Sequence, residues 1–138
     1  MDPAGRTRNA DIGYHLAIDL AGRIYEGRAI GVKGAHLSRF NTGIVGIVLL
    51  ADLDEQLTDD DDHVTDAMRA SCLALVADLV SQYPGIRALG GHGEFPHNTD
   101  RACPGNLGLQ LVTHLRECVS LAAPTLENCA SKIPYAAR

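Results

Sequence analysis

The chain has no tryptophan, and tyrosine and phenylalanine together make up only 4% of its 138 residues. Platforms on which bases or sugar rings could stack are therefore scarce. Basic residues are also few: 12 Lys and Arg face 17 Asp and Glu, for a net charge of −5. That balance argues against a dedicated nucleic-acid surface, which needs a basic face. No apolar run approaches the length of a membrane span, and residues 1–13 lack the apolar core of a secretion signal. The chain as written is expected to stay in the cytoplasm. Its four cysteines are then expected to remain reduced, although Cys118 and Cys129 could pair if oxidised.

The composition is that of a soluble globular protein, 46% apolar and 21% charged, and the length suits one domain. Residues 1–10 read as a disordered or docking arm, 11–121 as the domain and 122–138 as a tail without functional signal. Alternation over Tyr14, Leu16 and Ile18, a turn at Asp19–Gly22, and Arg23–Glu26 predict a hairpin. Ile44–Leu50 is continuously apolar and β-branched, which predicts an inner strand buried on both faces. The acidic stretch Asp52–His63, with Asp59–Asp62 at its extreme, lacks the alternating ligands of a calcium loop and reads as solvated. Thr65 should cap a helix carrying Met68, Cys72, Leu75, Val76 and Leu79 inward, ended by Tyr83-Pro84-Gly85. Ile86–Leu89 reads as a strand. Leu107, Leu111, Leu115 and Cys118 or Val119 mark a second amphipathic helix. Strands interleaved with two helices predict an α/β fold, a single domain with a mixed central β-sheet flanked by helices.

The chemistry concentrates between that last strand and helix. Gly91-His92-Gly93-Glu94-Phe95-Pro96-His97-Asn98-Thr99-Asp100-Arg101-Ala102-Cys103-Pro104-Gly105 sets a histidine and a cysteine in one loop. Imidazole and thiolate are ligands that zinc prefers, and a loop lets them converge. The spacing is not that of a structural finger, so it supplies at most two ligands of a mixed site. An incidental His beside a buried Cys is the competing reading.

Other motifs keep this loop company, in order: Asp11-Ile12-Gly13-Tyr14-His15, Gly22-Arg23-Ile24-Tyr25-Glu26-Gly27-Arg28, Gly34-Ala35-His36, Asn41 and Gly46-Ile47. Together with Gly-His-x-Glu and Ala-Cys-Pro-Gly they resemble the zinc-dependent N-acetylmuramoyl-L-alanine amidases of the peptidoglycan-recognition family, the bacteriophage lysozyme-type enzymes most of all. The similarity runs from about Asp11 to about Leu109. It departs at the start, because the family's first apolar strand, with its zinc-ligand histidine, has no counterpart in residues 1–13.

The resemblance implies Zn2+ as cofactor, peptidoglycan as partner and His92 and Cys103 as metal ligands. Cys103 favours an enzyme, since non-catalytic relatives typically lose it. Tyr14 matches a tyrosine that hydrogen-bonds the reacting carbonyl or its oxyanion. Arg101 stands where relatives carry a catalytic lysine; it can stabilise charge but cannot give up a proton. Glu94 either orients a ligand, accepts a proton or pairs with Arg101. His36 and Asn41 are expected to line the substrate cleft, with Asn41 bonding either within its loop or to glycopeptide. His36 and His97 are reserve candidates for the missing ligand. His15 is expected to face away from the cleft, and His63 and His114 to play no part in the chemistry. The expected reaction is hydrolysis of the amide between N-acetylmuramic acid and L-alanine, on cell wall reached after release or lysis. The alternatives are a catalytically inactive peptidoglycan-binding module and a fragment or late start of a complete amidase.

Overall fold

The computed structural model describes residues 12–37, 41–54, 62–96, 98–99 and 102–129. The N-terminal arm, most of the acidic run, His97, Arg101 and the end of the tail lie outside the described residues.

The hairpin forms where alternation placed it. β1 (Leu16–Asp19) pairs antiparallel with β2 (Ile24–Glu26), with Leu16 opposite Glu26 and Ile18 opposite Ile24. Gly22 takes a positive φ of 80° at the turn, a conformation that costs other residues energy. Asp19 closes the turn by accepting the Arg23 N–H at 2.8 Å and the Tyr25 hydroxyl at 2.7 Å. The Tyr25 bond holds the Asp19 carboxyl below its ordinary range.

β3 (Ile47–Leu50) pairs with β1 in parallel, giving the order β2-β1-β3. The sheet is mixed, as expected. The expectation of an inner strand buried on both faces is not met. β3 is an edge strand among the described residues, and Leu50 is 49% exposed. Alternation explains the split: Ile47 and Leu49 pack against the core, while Val48 and Leu50 face the other way.

α1 (Asp66–Gln82) starts as its sequence predicts. Thr65 Oγ1 accepts the Met68 N–H at 3.0 Å and donates its own proton to the Leu20 carbonyl. Ser71 Oγ donates to the Gly22 carbonyl at 2.6 Å, so α1 grips the hairpin turn twice. α2 (Gly105–Val119) buries Leu111, Val112 and Leu115. Cys118 is exposed and Val119 is the half-buried member of that pair. Ile18, Met68, Cys72, Val76, Leu111 and Leu115 form the core between β1 and the two helices. Ile18 and Met68 are fully buried, each contributing about 1.5–3 kcal/mol of apolar burial.

Ile86–Leu89 does not join the sheet. It makes an isolated parallel bridge, Ala88 to Ala122, with Leu89 N–H on the Ala122 carbonyl at 3.0 Å. The chain after α2 therefore covers this segment, and α3 (Leu126–Cys129) follows with Cys129 buried. All four thiols are free. No helix of the described residues is long and apolar enough to cross a membrane.

Candidate active site

Between the Ala88 bridge and α2 the chain makes a 3-10 turn, His92–Glu94. Four hydrogen bonds fix it. The Gly93 N–H donates to the Cys103 carbonyl at 2.8 Å, which lays the two ends of the loop side by side. Asn98, only 2% exposed, donates from Nδ2 to the His92 carbonyl at 2.6 Å. Glu94 accepts the Gly91 N–H at 2.9 Å and the Arg116 guanidinium at 2.8 Å. The same Arg116 nitrogen donates to the Leu89 carbonyl at 2.9 Å, so one cation on α2 ties both approaches to His92.

The Cys103–Pro104 peptide is cis, and Gly105 follows at φ 82°. A side chain at Gly105 would meet the Leu53 and Asp54 backbone at 2.6 Å, which requires glycine there. Cys103 is exposed as a residue, and partial desolvation of its sulfur raises its thiol above the ordinary value. A pocket of about 180 Å³ adjoins it, lined in part by Gly93, Glu94, Asn106 and Leu109.

His92 Nε2 lies at hydrogen-bond distance from the His36 carbonyl. A carbonyl only accepts, so Nε2 carries a proton, and in the neutral ring Nδ1 then keeps its lone pair. That is the state a metal-ligating histidine takes, its second nitrogen donating to a backbone oxygen. His92 and the Cys103 thiol thus fit two positions of a zinc site. No third His, Cys, Asp or Glu completes a group with them among the described residues.

His36 does not supply the third ligand. Its Nε2 is buried and has no hydrogen-bond partner among the described residues. That atom faces Gly34 and Gly46, where an added Cβ would approach it to 2.8 and 2.5 Å. The two glycines form a slot for the ring, and Tyr14 stacks on it at 5.1 Å between centroids. Burial first, then the charges of His15, His92 and Arg28, depress the His36 pKa to about 4, so the ring is neutral at pH 7. Asn41 uses its amide within the loop. Oδ1 accepts the N–H groups of His36 and Leu37 at 2.9 and 2.8 Å, and Nδ2 donates to the Leu37 carbonyl at 2.6 Å.

Tyr14 is half-buried; burial, and then the charge of Cys103, raises its pKa. It therefore stays a neutral phenol. The structure thus gathers Tyr14, His36, His92, Glu94 and Cys103, with Asn41 behind them. His15 does not simply face away. It is buried behind the site, edge-on to His36 at 6.1 Å, with Nδ1 accepting the Gly46 N–H and Nε2 donating to the Val32 carbonyl. Strand alternation fails for this pair because Tyr14 and His15 precede β1.

Sequence reasoning missed Arg116 and Asn98. A signal for Arg116 was present: it stands four residues after the inward-facing Val112, on the flank of the apolar face. Asn98 looked like any polar loop residue.

The profile of a family described as N-acetylmuramoyl-L-alanine amidase matches residues 2–106. The endolysin of Klebsiella phage KP32 is 29% identical over 94 residues, 68% of this chain and 59% of that protein. Drosophila melanogaster peptidoglycan-recognition protein LB is 50% identical over 42 residues, 30% of this chain and 18% of that one. Among solved structures, Drosophila PGRP-LB superposes with TM-score 0.61 at 28% identity, covering 80% of this chain and 59% of that one. The N-acetylmuramoyl-L-alanine amidase LysC from Clostridium intestinale URNW gives TM-score 0.58 at 23% identity, covering 79% of this chain and 65% of that one. The latter likeness concerns the fold alone. The chain spans about three fifths of the length of the phage endolysin. With a family match over most of its length, and with the His92 and Cys103 ends of one loop held together, the chain belongs to the N-acetylmuramoyl-L-alanine amidase family.

Proposed function

We propose that the chain hydrolyses, with zinc, the amide bond between N-acetylmuramic acid and the L-alanine of the peptidoglycan stem peptide. The observation that carries this reading is the state of His92. Its Nε2–H is held by the His36 carbonyl, its Nδ1 is left to accept a metal, and its turn is hydrogen-bonded to the backbone of Cys103. His92 and Cys103 would hold the ion, with the third ligand coming from outside the described residues. When bound, zinc activates water for attack and polarises the scissile carbonyl.

The chain's own groups do the rest. Tyr14, kept neutral by burial, donates its phenolic proton in a hydrogen bond to the oxygen on which charge develops. His36 backs the Tyr14 ring and limits its motion. Arg101, outside the described residues, is the candidate for stabilising developing charge without transferring a proton. Glu94, committed to Gly91 and Arg116, orients the His92 turn. One observation favours a second reading. The described residues offer two metal ligands rather than three, and a chain that held no metal would bind peptidoglycan without cutting it.

Digestion of purified peptidoglycan separates these. The amidase reading predicts stem peptides released with new L-alanine amino termini and no new reducing sugars. Reducing amino sugars would mean glycan cleavage and contradict it. Retention on the polymer without products would mean binding alone.

A further inference from the structure

We propose that Asn41 is a positioning residue for His92, acting through the backbone of His36; this rests on the reading of His92 as a metal ligand. His36 is immobilised from every side. Its ring fills the slot left by Gly34 and Gly46 and stacks on Tyr14. Its N–H is held by Asn41 Oδ1 at 2.9 Å. Its carbonyl, the group thus fixed in direction, accepts the His92 Nε2–H across 56 positions of sequence.

Asn41 reinforces this by bonding Leu37 at both N–H and C=O, which pins the peptide carrying that carbonyl. Both acceptor positions of its side-chain oxygen are used within the loop. The His36 carbonyl selects one of two imidazole tautomers, and only the selected one presents Nδ1 as a ligand. Without the Asn41 anchor the carbonyl swings, both tautomers populate, and the ligand must be ordered at the expense of metal binding.

The test uses the full 138-residue chain labelled with 15N-histidine, at a pH where imidazole is neutral and without metal. Long-range nitrogen–proton NMR spectra report the tautomer of each ring, and loss of one set in His92→Gln assigns His92. The native chain should show Nε2 protonated. Asn41→Ala should mix the two tautomers and weaken zinc binding, measured against a chromophoric chelator, by about 10–100-fold. Asn41→Asp, whose carboxylate still accepts both N–H groups but loses the bond to the Leu37 carbonyl, should restore the tautomer and part of the affinity. A general loss of stability would not move the His92 signal in a chain that remains folded. If Asn41→Ala does not fold, Asn41→Gln, with the acceptor displaced by a methylene, is read for the same two outcomes. An unchanged His92 tautomer in the folded variant overturns the proposal. Failure of the native chain to bind zinc would instead overturn the metal reading, and the tautomer comparison would still decide the role of Asn41.

Discussion

Tyr14 and Cys72 show how burial keeps two ionisable side chains protonated, one in the site and one in the core. Tyr14 is held as a neutral donor by burial. Tyr14→Phe keeps the ring that stacks on His36 and removes only the hydroxyl. It should lower kcat on peptidoglycan by about 10²–10³-fold while leaving zinc content unchanged; an equal loss of zinc would assign Tyr14 a structural role instead. Cys72 lies in the core, where burial pushes its thiol up to about 11 from an ordinary 9.0. The folded thiol keeps a proton that the unfolded chain releases. Its contribution is therefore complete below pH 9 and is lost as pH rises towards 11. Urea denaturation at pH 8 and pH 10.5 should show a smaller alkaline loss in Cys72→Ala than in the native chain. Equal losses would contradict the assignment. Much of this scale was legible from residue types and order: His92, Cys103 and Tyr14 come together. What was not legible was partnership at long range. The Glu94–Arg116 pair and the His36–His92 bond join residues 22 and 56 positions apart, and no local pattern encodes which carbonyl an imidazole will meet.

At the level of elements, local chemistry predicted what local chemistry controls. The Thr65 cap, the Gly22 turn and the apolar face of α2 all formed as their residues dictate. The strands at 44–50 and 86–89 differed because an apolar run specifies burial but not a pairing partner. Among the described residues β3 found a neighbour on one side only, and Ala88 found Ala122 rather than a sheet strand. The join between α2 and the His92 turn is the element-level feature on which the site depends. Arg116 and Glu94 are 15% and 25% exposed in their side chains, a setting in which a charge-assisted hydrogen bond is worth about 1.5–3 kcal/mol. Arg116→Met leaves the carboxylate without its cation. It should destabilise the chain by roughly that amount and weaken zinc binding, as read by chemical denaturation and chelator competition. Glu94→Gln, which still accepts the Gly91 N–H, should cost less. Equal stability in Arg116→Met and the native chain would show that the pair does not hold the turn.

Taken as a whole, the molecule is acidic, poor in aromatics and built as a small mixed sheet against two main helices. Its acidic balance argues against a basic nucleic-acid face, and no helix of the described residues is long and apolar enough to cross a membrane. The order of short motifs pointed instead to the N-acetylmuramoyl-L-alanine amidase family, to which the match over residues 2–106 assigns the chain. The account stands or falls on whether the region around His92 and Cys103 holds zinc. The decisive measurement is the zinc content of the purified 138-residue chain after dialysis, beside Cys103→Ser. Stoichiometric zinc in the native chain, lost in the folded variant, is the predicted result. A folded native chain without zinc, or zinc retained equally by Cys103→Ser, would contradict it.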